Sequence, residues 1–219
     1  DVRRIIRQLP GKEKRQTLLY SATLDDSILR LANAWLKDDT VTVEIESEQV
    51  ITDLIEQKFY TVAANEKLAF LLWIINNEPH DRILIFGNRK DKNFRLMKDL
   101  QRNNVQCALL SGDIPQKKRL KILEHFREGS EKIVIATDVA ARGIHVDDVS
   151  LVINFDLPER AEDYVHRIGR TGRAGKKGKS VSLVCEYGAY SLPEIEKLIG
   201  EEVHSIYPEE SMVTMPKKS

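Results

Sequence analysis

The chain has 219 residues, of which 42% are hydrophobic and 31% charged, and its 34 Lys+Arg balance 34 Asp+Glu. That is enough for a sizeable buried core and roughly one and a half to two ordinary domains. Zero net charge excludes a bulk polycation that coats nucleic acid. No apolar run reaches the length of a membrane span, and the opening DVRRIIRQLPGKEKRQ has no signal-peptide hydrophobic region, so the expected location is cytoplasmic.

In chain order, residues 1–46 read as a helix (VRRIIRQL), a strand (TLLY) and a second helix (DDSILRLANAWL). This is too little to bury a core alone. Residues 47–57 read as a linker, 58–207 as the main domain and 208–219 as a mobile polar tail. The alternative for 1–46 is a set of extra elements packed on the main sheet.

Within the main domain, KFYTV (58–62), RILIF (82–86), VQCALL (105–110), KIVIA (132–136), SLVIN (150–154) and SVSLV (180–184) read as strands. They are short, continuous and rich in Val, Ile and Leu, as in a parallel sheet covered on both faces. EKLAFLLWIINN, RKDKNFRLMKDLQRNN, PQKKRLKILEHFREG and RAEDYVHRIG read as the intervening helices. In the third, Leu120, Leu123 and Phe126 form the apolar face, Pro115 suits the first turn and Gly129 the C-terminal cap. The alternation predicts an α/β fold with a doubly wound parallel sheet. Ligands of such sheets bind at the carboxyl ends of strands. GNRK, SGDIPQ and TDVAARG all follow strands and should open on one edge.

Cys107 and Cys185 lie in apolar surroundings and read as small buried residues of a reducing compartment. His80, His125, His145, His166 and His204 are scattered and suggest no metal site. GRTGRAGKKGKS looks like a P-loop, but its glycines Gly172 and Gly178 are one residue too far apart and Ser180 begins a strand rather than a helix. The charge is unevenly placed: Arg167, Arg170, Arg173, Lys176, Lys177 and Lys179 fall in 166–179 without an acid. Guanidinium forks separated by glycines suit a phosphate chain.

SAT (21–23), LIFGNRK (84–90), SGDIPQKKR (111–119), ATDVAARG (136–143), VINFDLP (152–158) and HRIGRTGRAG (166–175) together resemble the later motifs of DEAD-box RNA helicases, in order and spacing. The stretch CEYGAYSLPEIEKLIG, with Gly143-Ile144-His145, is similar to the RhlB-type bacterial branch. The resemblance implies a RecA-like C-terminal helicase lobe preceded by the end of a first RecA-like lobe, within an ATP-dependent enzyme that unwinds RNA. It implies ATP with Mg2+, bound mainly by a first lobe whose P-loop and DEAD carboxylates are not in this sequence, so the chain alone is expected to hydrolyse no ATP.

The resemblance also distributes roles. Arg170 and Arg173 correspond to the arginine fingers, which act on the γ-phosphate across a cleft. Gly143, His145 and Asp147, with the two arginines, fall on the ATP-binding positions. His145 stands where many members have a ribose-binding Asp, and Asp147 is the candidate substitute. Ser21, Thr23, Asp138, His166 and Arg167 correspond to interlobe coupling. Ser21 and Thr23 are equally suited to capping a helix, and Asp138 to capping its turn and meeting the arginines of 166–173 across the cleft. Asn88, Arg89, Gly112, Gln116, Arg119, Thr137 and Arg142 correspond to RNA binding, with Arg89 in place of the usual Thr. No aromatic pairs interleave with these loops, which points to backbone contact without base stacking. The expected partners are RNA, the first lobe and RNase E of an RNA-degrading assembly. The rival readings are a non-catalytic RNA- or protein-docking module and another α/β nucleotide-dependent motor.

Overall fold

The computed structural model describes residues 2–21, 26–43, 54–141, 149–172 and 177–216. It divides into two compact units, Asp1–Ser47 and Glu48–Ser219.

In the first unit, α1 (Val2–Ile6) leads to a 3₁₀ turn at Lys12–Lys14 and then to α2 (Asp26–Trp35). Arg15 ties it together: Nη1 donates to the Pro10 carbonyl at 2.8 Å and Nη2 to the Trp35 carbonyl at 3.0 Å. TLLY, expected as a strand, is not in a strand among the described residues. A strand needs a partner edge, and no described residues of this unit supply one.

The second unit is one parallel sheet of β1 (Ile55–Thr61), β2 (Ile83–Phe86), β3 (Ala108–Leu110), β4 (Ile133–Ala136), β5 (Leu151–Asn154) and β6 (Gly178–Val184). The strand order is β1-β6-β5-β2-β4-β3. Every residue of β2, β4 and β5 is buried, the signature of central strands covered on both faces. Phe59 and Thr61 exchange hydrogen bonds with Ile206 at 2.8 and 2.9 Å, so the chain near Ile206 covers the outer edge of β1.

The helices are α3 (Lys67–Asn77), α4 (Lys90–Arg102), α5 (Gln116–Glu128), α6 (Asp138–Ala141), α7 (Ala161–Ile168) and α8 (Leu192–Ile199). Alternate residues of the strands face opposite sides. One face, with Ile83, Ile85, Ile133, Ile135 and Ile153, packs on Phe70, Leu71 and Ile74 of α3 and Leu96 and Leu100 of α4. The other, with Leu84, Phe86, Val134 and Val152, packs on Leu123 and Phe126 of α5 and the alanines of α6. Beside it, Ile55 and Phe59 meet Tyr164 and Ile168 of α7 and Ile195 and Ile199 of α8. The sheet is doubly wound, as the sequence pattern predicts.

Pro115 and Gly129 bound α5 as expected, Gly129 taking the left-handed φ of 79° that ends a helix cheaply only at glycine. Leu120, however, is 56% exposed. The inward face of α5 is Leu123 and Phe126, flanked by partly buried Ile122. In the segment expected as a mobile tail, Met212 and Val213 lie against the core. Cys107 and Cys185 are buried free thiols.

Candidate nucleic-acid interface

Because all six strands run parallel, the loops after β2, β3 and β4 leave the same edge of the sheet. The structure therefore brings Asn88, Gly112, Thr137 and Asp138 to one side. The arginine–glycine run joins them through α7.

Arg167, near the C-terminus of α7, is 1% exposed. A buried guanidinium is tolerable only when its charge is paired and its donors are used. Nε and Nη2 donate to the two carboxylate oxygens of Asp138 at 2.6 and 2.8 Å. Nη1 donates to the Asp156 carbonyl at 2.6 Å and to Asn154 Oδ1 at 3.3 Å. Nη2 also donates to Asn88 Oδ1 at 2.8 Å. The guanidinium carbon lies 5.1 Å from the centre of the Phe86 ring, a cation–π distance. One side chain thus joins the exits of β2, β4 and β5.

Around this hub the other polar groups are also spoken for. Asn154 donates to Ser182 Oγ on β6 at 3.0 Å. Asn88 uses its amide nitrogen on the Leu157 carbonyl at 2.8 Å. Asn93, buried in the first turn of α4, donates to the carbonyls of Gly87 and Ala136 at 3.1 and 3.2 Å and so fastens β2 to β4. Lys67 of α3 donates to Asp156 Oδ1 at 3.0 Å and to the Phe155 carbonyl at 2.6 Å.

At the surface, Gln116, Gly112 and Arg89 are exposed. Arg89 forks onto Asp91, both contacts at 3.1 Å. Lys90 spans to Asp113 at 2.7 Å, linking the loop after β2 to the loop after β3. Arg119 is half-buried and donates to the Ala140 carbonyl at 2.6 Å, which satisfies one free carbonyl of the short helix α6. Thr137 Oγ1 accepts the Ala140 N–H at 3.4 Å, at the start of that helix. His166 is partly exposed, with Nδ1 3.9 Å from Asp163 Oδ1.

Arg170 follows α7. Its backbone carbonyl accepts the Val149 N–H at 3.2 Å. Its side chain lines a small cavity with Leu84, Leu110, Phe126, Val134, Ala136 and Ala141. It is half-buried. Two residues on, Gly172 has a left-handed φ of 69°.

Arg173, Arg142, Gly143, His145, Asp147 and Thr23 lie outside the described residues. Ser21 is exposed and belongs to the first unit. Among the described residues no group of three or more His, Cys, Asp or Glu could hold a metal ion, and no helix is long and apolar enough to cross a membrane.

Sequence reasoning passed over Asn154, Asp156 and Lys67. Asp156 was inside the VINFDLP motif, and Lys67 was the one charge in the apolar run KLAFLLWIINN. A lone charge in a buried helix signals a partner.

A parallel six-stranded sheet wound on both faces, its exit loops gathered by one arginine, is the architecture of a RecA-like lobe. The helicase conserved C-terminal domain matches residues 66–175. The ATP-dependent RNA helicase RhlB of Pseudomonas putida is 47% identical over 99% of this chain and 54% of its own length, so the chain spans about half the length of the curated relatives it matches. Among solved structures, S. cerevisiae Dbp5 bound to RNA and ADP BeF3 has a TM-score of 0.80 at 32% identity, covering 93% of this chain and 54% of that one. The E. coli DEAD-box protein SrmB bound to regulator of ribonuclease activity A (RraA) has a TM-score of 0.65 at 32% identity, over 75% of this chain and 96% of that one. The chain belongs to the DEAD-box RNA helicases, of the RhlB type, and its second unit holds their helicase C-terminal domain.

Proposed function

We propose that this chain is the C-terminal part of an ATP-dependent enzyme that unwinds or remodels RNA. A preceding lobe would hold ATP with Mg2+; ATP would supply the phosphoryl group and Mg2+ would screen its charge. This lobe contributes Arg170 and Arg173 to the γ-phosphate, and half of the RNA track. Guanidinium forks in these positions stabilise the charge that develops during transfer. Asn88, Arg89, Gly112, Gln116, Arg119, Thr137 and Arg142 make up the RNA side, and Ser21, Thr23, Asp138, His166 and Arg167 couple it to the first lobe. Gly143, His145 and Asp147 are assigned to ATP binding.

The observation that carries this reading is the double use of Arg167 Nη2. It donates to Asn88 Oδ1 and Asp138 Oδ2, both at 2.8 Å. The loop assigned to RNA and the turn assigned to coupling are held by one nitrogen, and Arg170 follows within the same turn of chain. The Dbp5 structure, which contains RNA and ADP BeF3 together, is consistent with one lobe serving both.

The polar groups at this edge suit a sugar–phosphate backbone, so binding should be independent of sequence. Each phosphate neutralised contributes a slope of about −0.7 to log K against log salt. In the full-length protein, Arg119→Ala weakens single-stranded RNA binding and flattens that slope. Equal affinity and slope in wild type and variant would remove Arg119 from the track.

A docking role is a second reading, favoured by the E. coli SrmB structure, in which such a lobe is present with RraA. On that reading the chain joins a cytoplasmic RNA-degrading assembly through RNase E. Co-purification of the two proteins after nuclease treatment tests it.

A further inference from the structure

Lys67 is the largest departure from ordinary burial rules outside the arginine run. It is 4% exposed, in the first turn of a helix that is otherwise uncharged. Its ammonium contacts Asp156 Oδ1 and the Phe155 carbonyl, and it lies 5.1 Å from the centre of the Phe155 ring. A lysine buried only to pair a carboxylate gains little net stability over an apolar residue of the same size. What the pair does fix is position.

Asp156 is the reason position matters. While Oδ1 faces Lys67, Oδ2 accepts the backbone N–H of Asn88 at 3.2 Å. The carbonyl of the same residue accepts Arg167 Nη1 at 2.6 Å. The loop after β2 is thus held twice: by its side chain through Arg167, and by its main chain through Asp156, with Lys67 orienting the carboxylate from behind. Asn88 has both side-chain polar atoms committed inside the lobe. What this loop can offer RNA is its main chain and its neighbours, and their placement depends on where the loop sits.

We infer that Lys67 and Asp156 are positioning residues for the RNA edge: a buried ion pair that sets the height of the Asn88 loop and thereby the affinity for RNA backbone. This rests on the RNA-binding reading proposed above. Neither residue touches RNA or nucleotide. The two cations, Lys67 and Arg167, and the two anions, Asp138 and Asp156, balance within the network, so removing Lys67 leaves Asp156 free to swing toward solvent and carry the Asn88 amide with it.

The test uses the full-length protein and a single-stranded homopolymer RNA, comparing Lys67→Met, Lys67→Arg and Arg119→Ala. Lys67→Met should raise the RNA Kd roughly tenfold, within the range that a small misplacement of a binding group produces. Turnover at saturating RNA should stay close to wild type, and amide exchange should accelerate in the Asn88 segment but not in β2 itself. Lys67→Arg, which restores a buried cation, should recover most of the affinity; a purely structural role would not separate Kd from turnover in this way. An unchanged Kd in Lys67→Met beside a weakened Arg119→Ala overturns the positioning role alone. An unchanged Kd in both overturns the RNA edge and this inference with it. Should Lys67→Met not fold, the Lys67→Met/Asp156→Asn double variant, which leaves no unpaired charge at this site, is measured against the same criterion.

Discussion

Arg167 and Asp138 form a two-pronged ion pair, Nε to Oδ1 at 2.6 Å and Nη2 to Oδ2 at 2.8 Å, with the arginine side chain 1% exposed and the aspartate 24%. The pair locks the start of α6 to the end of α7. The remaining guanidinium donors reach three further residues, so the side chain acts as a bolt through the sheet's carboxyl edge.

Removing that bolt leaves Asp138 half-buried and uncompensated. Arg167→Met should therefore destabilise the protein by about 3–5 kcal/mol, the usual cost of breaking a buried pair from one side. Arg167→Lys restores the charge but not the planar fork, and should fall between the two. Urea denaturation of the three proteins checks the order; equal midpoints would mean that the network adds no stability.

Gly172 separates the arginines at 170 and 173. Its φ of 69° is a conformation L-residues avoid, and a Cβ there would sit 2.6 Å from Ile55 Cγ1. Gly172→Ala should cost about 1–2 kcal/mol from the backbone alone, and more as Ile55 yields. It should also lower ATP turnover, because the backbone of the arginine–glycine run must shift at Gly172. Normal thermal stability together with normal turnover in Gly172→Ala would contradict both statements.

The strands and their parallel order were legible because buried central strands are unbroken runs of Val, Ile and Leu, as in ILIF and LVIN. TLLY shows the weakness of that signal, since propensity marks a segment that could be a strand and not whether an edge is there to receive it. α8 was legible and passed over: Ser191 precedes it, Pro193 lies in its first turn, Gly200 ends it, and Leu192, Ile195 and Ile199 repeat at helical spacing. The burial of Arg167 was not legible. Its partners stand up to 79 residues away, and an arginine in an amphipathic helix ordinarily faces water. Asp138 was expected to meet the arginines of 166–173 and does meet Arg167, within this one unit; that Asn88 shares the same guanidinium was not foreseen.

Cys107 ties stability to alkaline pH. Burial, with the nearby Glu131 charge, pushes its thiol from the ordinary 9.0 to about 11. Between these values the unfolded chain has shed a proton that the folded chain still holds. Stability from this group is therefore complete below pH 9 and is lost as pH rises toward 11. Burial raises the Tyr164 phenol as well, with the same sign. The urea midpoint should fall across this window, and less steeply in Cys107→Ala; a midpoint that stays flat would refute the assignment. Cys107 should also resist alkylation at neutral pH until the protein unfolds.

On the proposed reading, the arginine–glycine run acts on nucleotide while the loops beside it act on RNA. Steady-state ATP hydrolysis by full-length protein carrying Arg170→Ala, measured with saturating RNA, tests it most directly. The expected result is a kcat lower by on the order of 10³, with the RNA Kd unchanged. A kcat equal to wild type would show that Arg170 is a wall of its apolar cavity and not a participant in phosphoryl transfer.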